Sequence, residues 1–89
     1  VEESIATAGI RVFPSPVLSN LFIDLSEFNG SLEQLELIDL NGHVVAKPIL
    51  NSVAGTRVTM DLSTYAEGAY LLRMITDKGV RNERIIVAR

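Results

Sequence analysis

Apolar and polar positions alternate along most of this chain with a period of two, the spacing of a strand buried on one face. Ile10 to Phe13 is the first such run, and it stops at Pro14-Ser15-Pro16. Two prolines fix φ and lack the N–H a ladder needs, which marks an edge strand leaving its sheet. In Leu21-Phe22-Ile23-Asp24-Leu25, the residues Leu21, Ile23 and Leu25 share the inward face, and Asn29-Gly30 marks a turn. Gln34 to Leu40 forms the next strand, and His43 to Lys47 returns before Pro48. Asn41-Gly42 between them predicts a hairpin with a type I′ turn, which needs positive φ at both central residues. After a loop around Asn51-Ser52 and Ala54-Gly55, Arg57 to Leu62 alternates again, and Ser63 to Glu67 is a polar crossing. A final hairpin is predicted over 69–76 and 80–88, turning at Asp77-Lys78-Gly79.

Seven short strands with regularly spaced turn signals predict an all-β domain, a seven-stranded immunoglobulin-like antiparallel β-sandwich. Ser31 to Gln34 and Ser63 to Ala66 have room for a single helical turn and no more. Tyr70 lies just inside the strand after the crossing. A tyrosine corner there would return the hydroxyl to the preceding connection; the alternative is an ordinary core aromatic. Residues 1–9 show no period and read as a linker from something upstream, leaving 10–89 as the folded domain. Opening on Val1 rather than Met fits a fragment or a processed product.

Composition narrows the chemistry. Eighty-nine residues make one domain. The core must be aliphatic, with three Phe, two Tyr and no Trp. The absence of cysteine removes a disulfide framework and thiolate metal sites. No apolar run reaches the ~20 residues of a membrane-spanning helix. The net charge of −3 is uneven: residues 73–89 hold five basic and two acidic side chains. That basic hairpin suits an anionic surface, or equally a sheet edge protected by charge. His43 is the single histidine and follows a turn, so neither a histidine metal site nor a Ser–His–acid arrangement is expected. Glu33 and Asp39 share strand parity while Glu36 points to the other face, so they form no acid–base pair. Asp24, Asp39 and Asp61 lie near strand ends without the spacing of a calcium loop. No phosphate loop occurs, and the aromatics do not interleave with the cations as nucleic-acid binding requires. The domain reads as non-catalytic, without cofactor or metal and without a nucleic-acid partner.

Three stretches carry a family resemblance, in order. Val12-Phe13-Pro14-Ser15-Pro16-Val17 resembles an opening Tyr-Pro-Asn-Pro motif, with Phe13 for Tyr and Ser15 for Asn. Leu37-Ile38-Asp39-Leu40-Asn41-Gly42-His43-Val44-Val45 resembles a central strand–Asp–Gly turn–strand motif, with His43 where Arg or Lys is usual. Gly68-Ala69-Tyr70-Leu71-Leu72-Arg73-Met74, Lys78-Gly79 and Arg84-Ile85-Ile86-Val87 resemble the closing motif. Together they are similar to the C-terminal sorting domain of type IX secretion cargo of Gram-negative bacteria. The resemblance implies a signal: Phe13, Pro14, Pro16, Asp39, Gly42, Gly68, Tyr70, Arg73, Lys78, Gly79, Arg84, Ile85, Ile86 and Val87 would be its motif residues. It also implies export through the periplasm to the outer-membrane surface or beyond, with the outer-membrane translocon and a cell-surface sortase as partners. The sortase would cleave within Ser4, Ile5, Ala6, Thr7, Ala8 and Gly9 and join the cargo to anionic lipopolysaccharide. Exposed sheet edges would also permit a homodimer. The competing reading is an immunoglobulin-like accessory or adhesion module of a secreted protein. A sorting signal is expected to end its precursor, whereas an accessory module has no required position.

Overall fold

The computed structural model describes residues 9–14, 16–48 and 57–88. Seven strands form in chain order: β1 Arg11–Phe13, β2 Asn20–Asp24, β3 Leu32–Ile38, β4 Val44–Ala46, β5 Arg57–Asp61, β6 Gly68–Thr76 and β7 Gly79–Val87. They divide into a three-stranded sheet, β1-β2-β5, and a four-stranded sheet, β4-β3-β6-β7, all neighbours antiparallel. No helix occurs among the described residues. The two short segments with room for a helical turn are strand at Leu32–Gln34 and a turn at Ser63–Thr64.

Alternation explains the packing. Leu21 and Ile23 on β2, Leu35 and Leu37 on β3, Leu72 and Met74 on β6, and Ile85 and Val87 on β7 all enter one shared core. Leu25 and Phe28, beyond the end of β2, close it on one side, and the turn between them is tied by Phe28 N–H to the Leu25 carbonyl at 3.0 Å. The sequence pattern placed Leu25 inward and gave no signal for Phe28, which stands alone among polar neighbours.

Two local features differ from the sequence-based expectation. The β3–β4 loop is not a two-residue type I′ turn. Gly42 N–H donates to the Asp39 carbonyl at 3.0 Å and Asp39 N–H donates to the His43 carbonyl at 2.9 Å. Leu40, Asn41 and Gly42 therefore form a three-residue loop, a β-turn followed by a left-handed residue. Gly42 supplies that residue at φ 86°, and open space around it leaves backbone conformation as the sole reason for glycine. On β3, a register shift between Leu32 and Gln34 lets Glu33 bulge outward and restores the pairing of Leu35 with Met74.

Truncating Leu72 to Ala removes a fully buried side chain from the strand paired on both sides. The expected loss is ~2–5 kcal/mol, read as a lower urea midpoint with unchanged slope.

Candidate functional site

Val17 brings the first and last motifs together. After Pro14 and Pro16 the chain leaves β2's neighbourhood, and Val17 reaches the outer edge of β7 in a parallel bridge to Val87. Val17 N–H donates to the Ile86 carbonyl at 2.7 Å, and Ala88 N–H donates to the Val17 carbonyl at 2.8 Å. The Val17 side chain is fully buried. The prolines suit this joint because the chain must break one ladder before starting another. Nearer the other end of β7, Arg81 Nη1 donates to the Ile10 carbonyl at 2.9 Å, and Arg81 also pairs with Glu83 at 3.2 Å. Thus Ile10, just ahead of β1, and Val17, just after the prolines, both meet the strand that carries Arg84, Ile85, Ile86 and Val87.

Phe13 ends β1 on the solvent face of the three-stranded sheet. Its ring lies 5.6 Å from that of Phe22, directly opposite in register. The Arg57 guanidinium covers both rings, at 5.3 and 5.4 Å from their centroids. The aromatic pair is therefore shielded by a cation from β5, with Asp24 opposite both Arg11 and Arg57 in register.

Asp39 organises the central motif as a turn rather than as an acid. Its carboxylate accepts from the N–H groups of Asn41 and His43, both at 2.9 Å. His43 lies largely in solvent, with its ring nitrogen 3.7 Å from the Asp39 carboxylate. Asp24 and Asp61 do the same for Ser26 and Ser63, at 3.0 Å each. All three carboxyls are held below the usual carboxylate value: Asp39 first by the His43 N–H, Asp24 first by the Ser26 N–H, and Asp61 first by the Ser63 hydroxyl. Among the described residues no cluster of His, Asp and Glu is arranged to hold a metal.

In the closing motif, Gly68 opens β6 opposite Val87. Tyr70 donates its hydroxyl to the Ala66 carbonyl at 2.6 Å, which returns it to the crossing as a tyrosine corner does. The Tyr65 and Tyr70 rings meet edge to face, with centroids 6.4 Å apart. Arg73 and Arg84 project from the solvent face of the four-stranded sheet, while Ile85 and Val87 enter the core and Ile86 faces out. Lys78 and Gly79 turn the hairpin on Thr76, a buried hydroxyl whose Oγ1 accepts both their N–H groups at 3.0 Å and donates to the Gly79 carbonyl at 2.7 Å. Neither Thr76 nor Val17 stood out in the sequence. A threonine at a strand end is common, and Val17 belongs to no alternating run. Of the candidate cleavage residues, Ser4, Ile5, Ala6, Thr7 and Ala8 lie outside the described residues. Gly9 is half-buried, and a side chain there would overlap the Glu27 carbonyl.

A family model described as secretion system C-terminal sorting domain matches residues 11–88. No curated protein and no solved structure matches the chain significantly.

Tyr70→Phe removes one hydrogen bond and keeps the ring. It should cost about 1 kcal/mol in chemical denaturation. Acid sensitivity follows from the three lowered carboxyls. Their stabilisation is full above the unfolded carboxylate value and is lost as pH falls through the lower folded values. The folded protein should therefore weaken below about pH 4. Asp39→Asn should flatten the pH dependence of the thermal midpoint in that range, and an unchanged slope would contradict the assignment.

Proposed function

The chain belongs to the family of type IX secretion C-terminal sorting domains, and from that premise we propose that it directs an upstream cargo across the outer membrane and is then recognised by a cell-surface sortase. The family match, which spans nearly all of the folded strands, carries this reading. On this reading the domain has no reaction of its own. Its residues provide shape, exposed backbone and charge to other proteins.

The motif residues named above form the signal in this reading, and the joint at Val17 supports treating the first and last motifs as one unit. The immunoglobulin-like description belongs to the same proposal. It is supported by the partition into three and four antiparallel strands and by the Tyr70 bond to the crossing. The sortase step falls in the segment from Ser4 to Gly9, ahead of the first strand. A protease groove accepts extended chain, and small uncharged side chains in that segment favour entry. Transfer of the cargo to anionic lipopolysaccharide completes the proposal. Self-pairing would use the edges left unpaired among the described residues, those of β1, β4 and β5, and the part of β7 ahead of Ile86. The same fold would serve an accessory module equally well, so the family match decides for the signal.

The experiment fuses residues 1–89 to an inert periplasmic reporter in a host with the type IX system. The reporter should reach the cell surface, and a translocon-deficient strain should retain it in the periplasm. Deleting residues 80–89 should abolish export. Replacing residues 1–9 with a proline-rich segment should leave export intact and block processing, seen as an unprocessed cargo end by mass spectrometry. Export of the reporter without residues 80–89 would remove the last strand from the signal.

A further inference from the structure

We propose that the solvent face of the four-stranded sheet is the surface by which the secretion machinery holds this domain, and that the partner presents apolar side chains flanked by carboxylates. The inference rests on the sorting reading and adds the face and its chemistry.

The first observation is a violated pattern. An antiparallel sheet with one solvated face alternates apolar-in and polar-out, whereas a strand buried on both faces reads as a continuous apolar run. β6 belongs to the second kind. Its inward residues Leu72 and Met74 are fully buried, yet three of its four outward positions, Ala69, Leu71 and Ile75, are also apolar. In register, Leu71 stands opposite Ile38 on β3, Ala69 opposite Ile86, and Ile75 opposite Val80 on β7. Val44 extends the row from Ile38 onto β4. Leu71 is 38%, Val44 50%, Val80 48% and Ile86 36% exposed. The result is an aliphatic band that crosses all four strands. Val44, Ile38 and Leu71, with Ala69 and Ile86 in the next row, are neighbours by register, which separates them from the scattered surface apolar residues that need no explanation. Ile75 and Val80 form a second pair beyond the row of Glu36, Arg73 and Asn82.

The other sheet supplies the contrast. There the outward apolar groups are Phe13 and Phe22, both half-buried, and Arg57 covers both. Leu71 and Ile86, by contrast, are exposed.

The second observation is charge. Arg84 stands opposite Leu71, and Arg73 stands between Glu36 and Asn82. Glu36 is engaged instead by Lys47 at 4.0 Å. Neither Arg73 nor Arg84 has an ion pair among the described residues, while Arg81, on the opposite face of β7, is used internally. Two unpaired guanidinium groups beside an aliphatic band suit a partner that brings carboxylates to the rim and apolar groups to the centre. A second copy docked through the same face would set these cations against each other, so the favoured occupant is a different protein.

The reporter fusion tests this with face variants and its own control. Arg73→Glu with Arg84→Glu, and separately Leu71→Ser with Ile86→Ser, should each lower surface reporter by about tenfold or more. Thr59→Lys, on the opposite sheet, should leave it unchanged. Circular dichroism and the thermal midpoint of each purified fusion identify variants that fail to fold, and Arg73→Lys with Arg84→Lys should restore export in the charge series. Export of the wild-type fusion together with normal export of both folded face variants would overturn the inference and leave the sorting reading standing. Failure of the wild-type fusion to export would instead reject the sorting reading. Two further measurements on the wild-type fusion bear on the occupant. Sedimentation showing a dimer that Leu71→Ser with Ile86→Ser dissolves would assign the face to a second copy. Binding to phosphatidylglycerol vesicles that the arginine reversals abolish would assign it to a lipid surface. Either result overturns the proposal; an oligomeric state that the face variants do not change, together with indifference to vesicles, supports it.

Discussion

β6 pairs with β7 along all nine of its residues and with β3 from Leu71 to Thr76, and the rest of the domain is arranged around that double pairing. Leu72 and Met74 carry it into the core, where they meet side chains from both sheets. At its start, Tyr70 fastens the crossing from the other sheet, and at its end Thr76 fastens the turn into β7. A strand so placed cannot slip by one residue, because the shift would turn its inward leucine and methionine outward. Register is thus set at the centre, and the outer strands inherit it. The domain has no disulfide and no tryptophan to share the task.

Much of this was legible because the signals were local. Period-two alternation, with the turn signals that bound β4 and the final hairpin, located the strands, and the glycine and proline positions located most turns. Tyr70 was legible only in part: the polar crossing left a corner and an ordinary core aromatic both open, and the hydroxyl bond to Ala66 distinguishes them. The parts that escaped depend on contacts between distant segments. Val17 follows two prolines and precedes polar residues, so nothing nearby announces that its backbone completes the edge of β7. Phe28 is alone among polar neighbours, yet it closes the core. Gly30 looked like half of an ordinary turn. It is also a point of close approach, since a side chain there would crowd Asp77, Phe28 and Lys78. The Asn41-Gly42 hairpin was legible as a hairpin, but its loop length was set by the Asp39 carboxylate gathering two N–H groups.

Charge behaves in two ways on this surface. Three aspartates at strand ends are consumed by their own turns, and this explains acids near loops without invoking an ion. The basic bias of the closing hairpin divides as well. Arg81 and Glu83 belong to the fold, whereas Arg73 and Arg84 remain available on the open face. Net charge alone could not separate these roles; strand parity does.

The bridge at Val17 also has a mechanical meaning. A pull on the chain ahead of Gly9, resisted at the far end of β7, runs through the short β1 and its neighbours to Val17. Because Val17 and β7 run in the same direction, such a pull shears their two hydrogen bonds instead of peeling them one after the other. Two bonds loaded together resist more than two loaded in turn. The opening prolines and the last strand therefore meet at the place where tension through the domain would be borne.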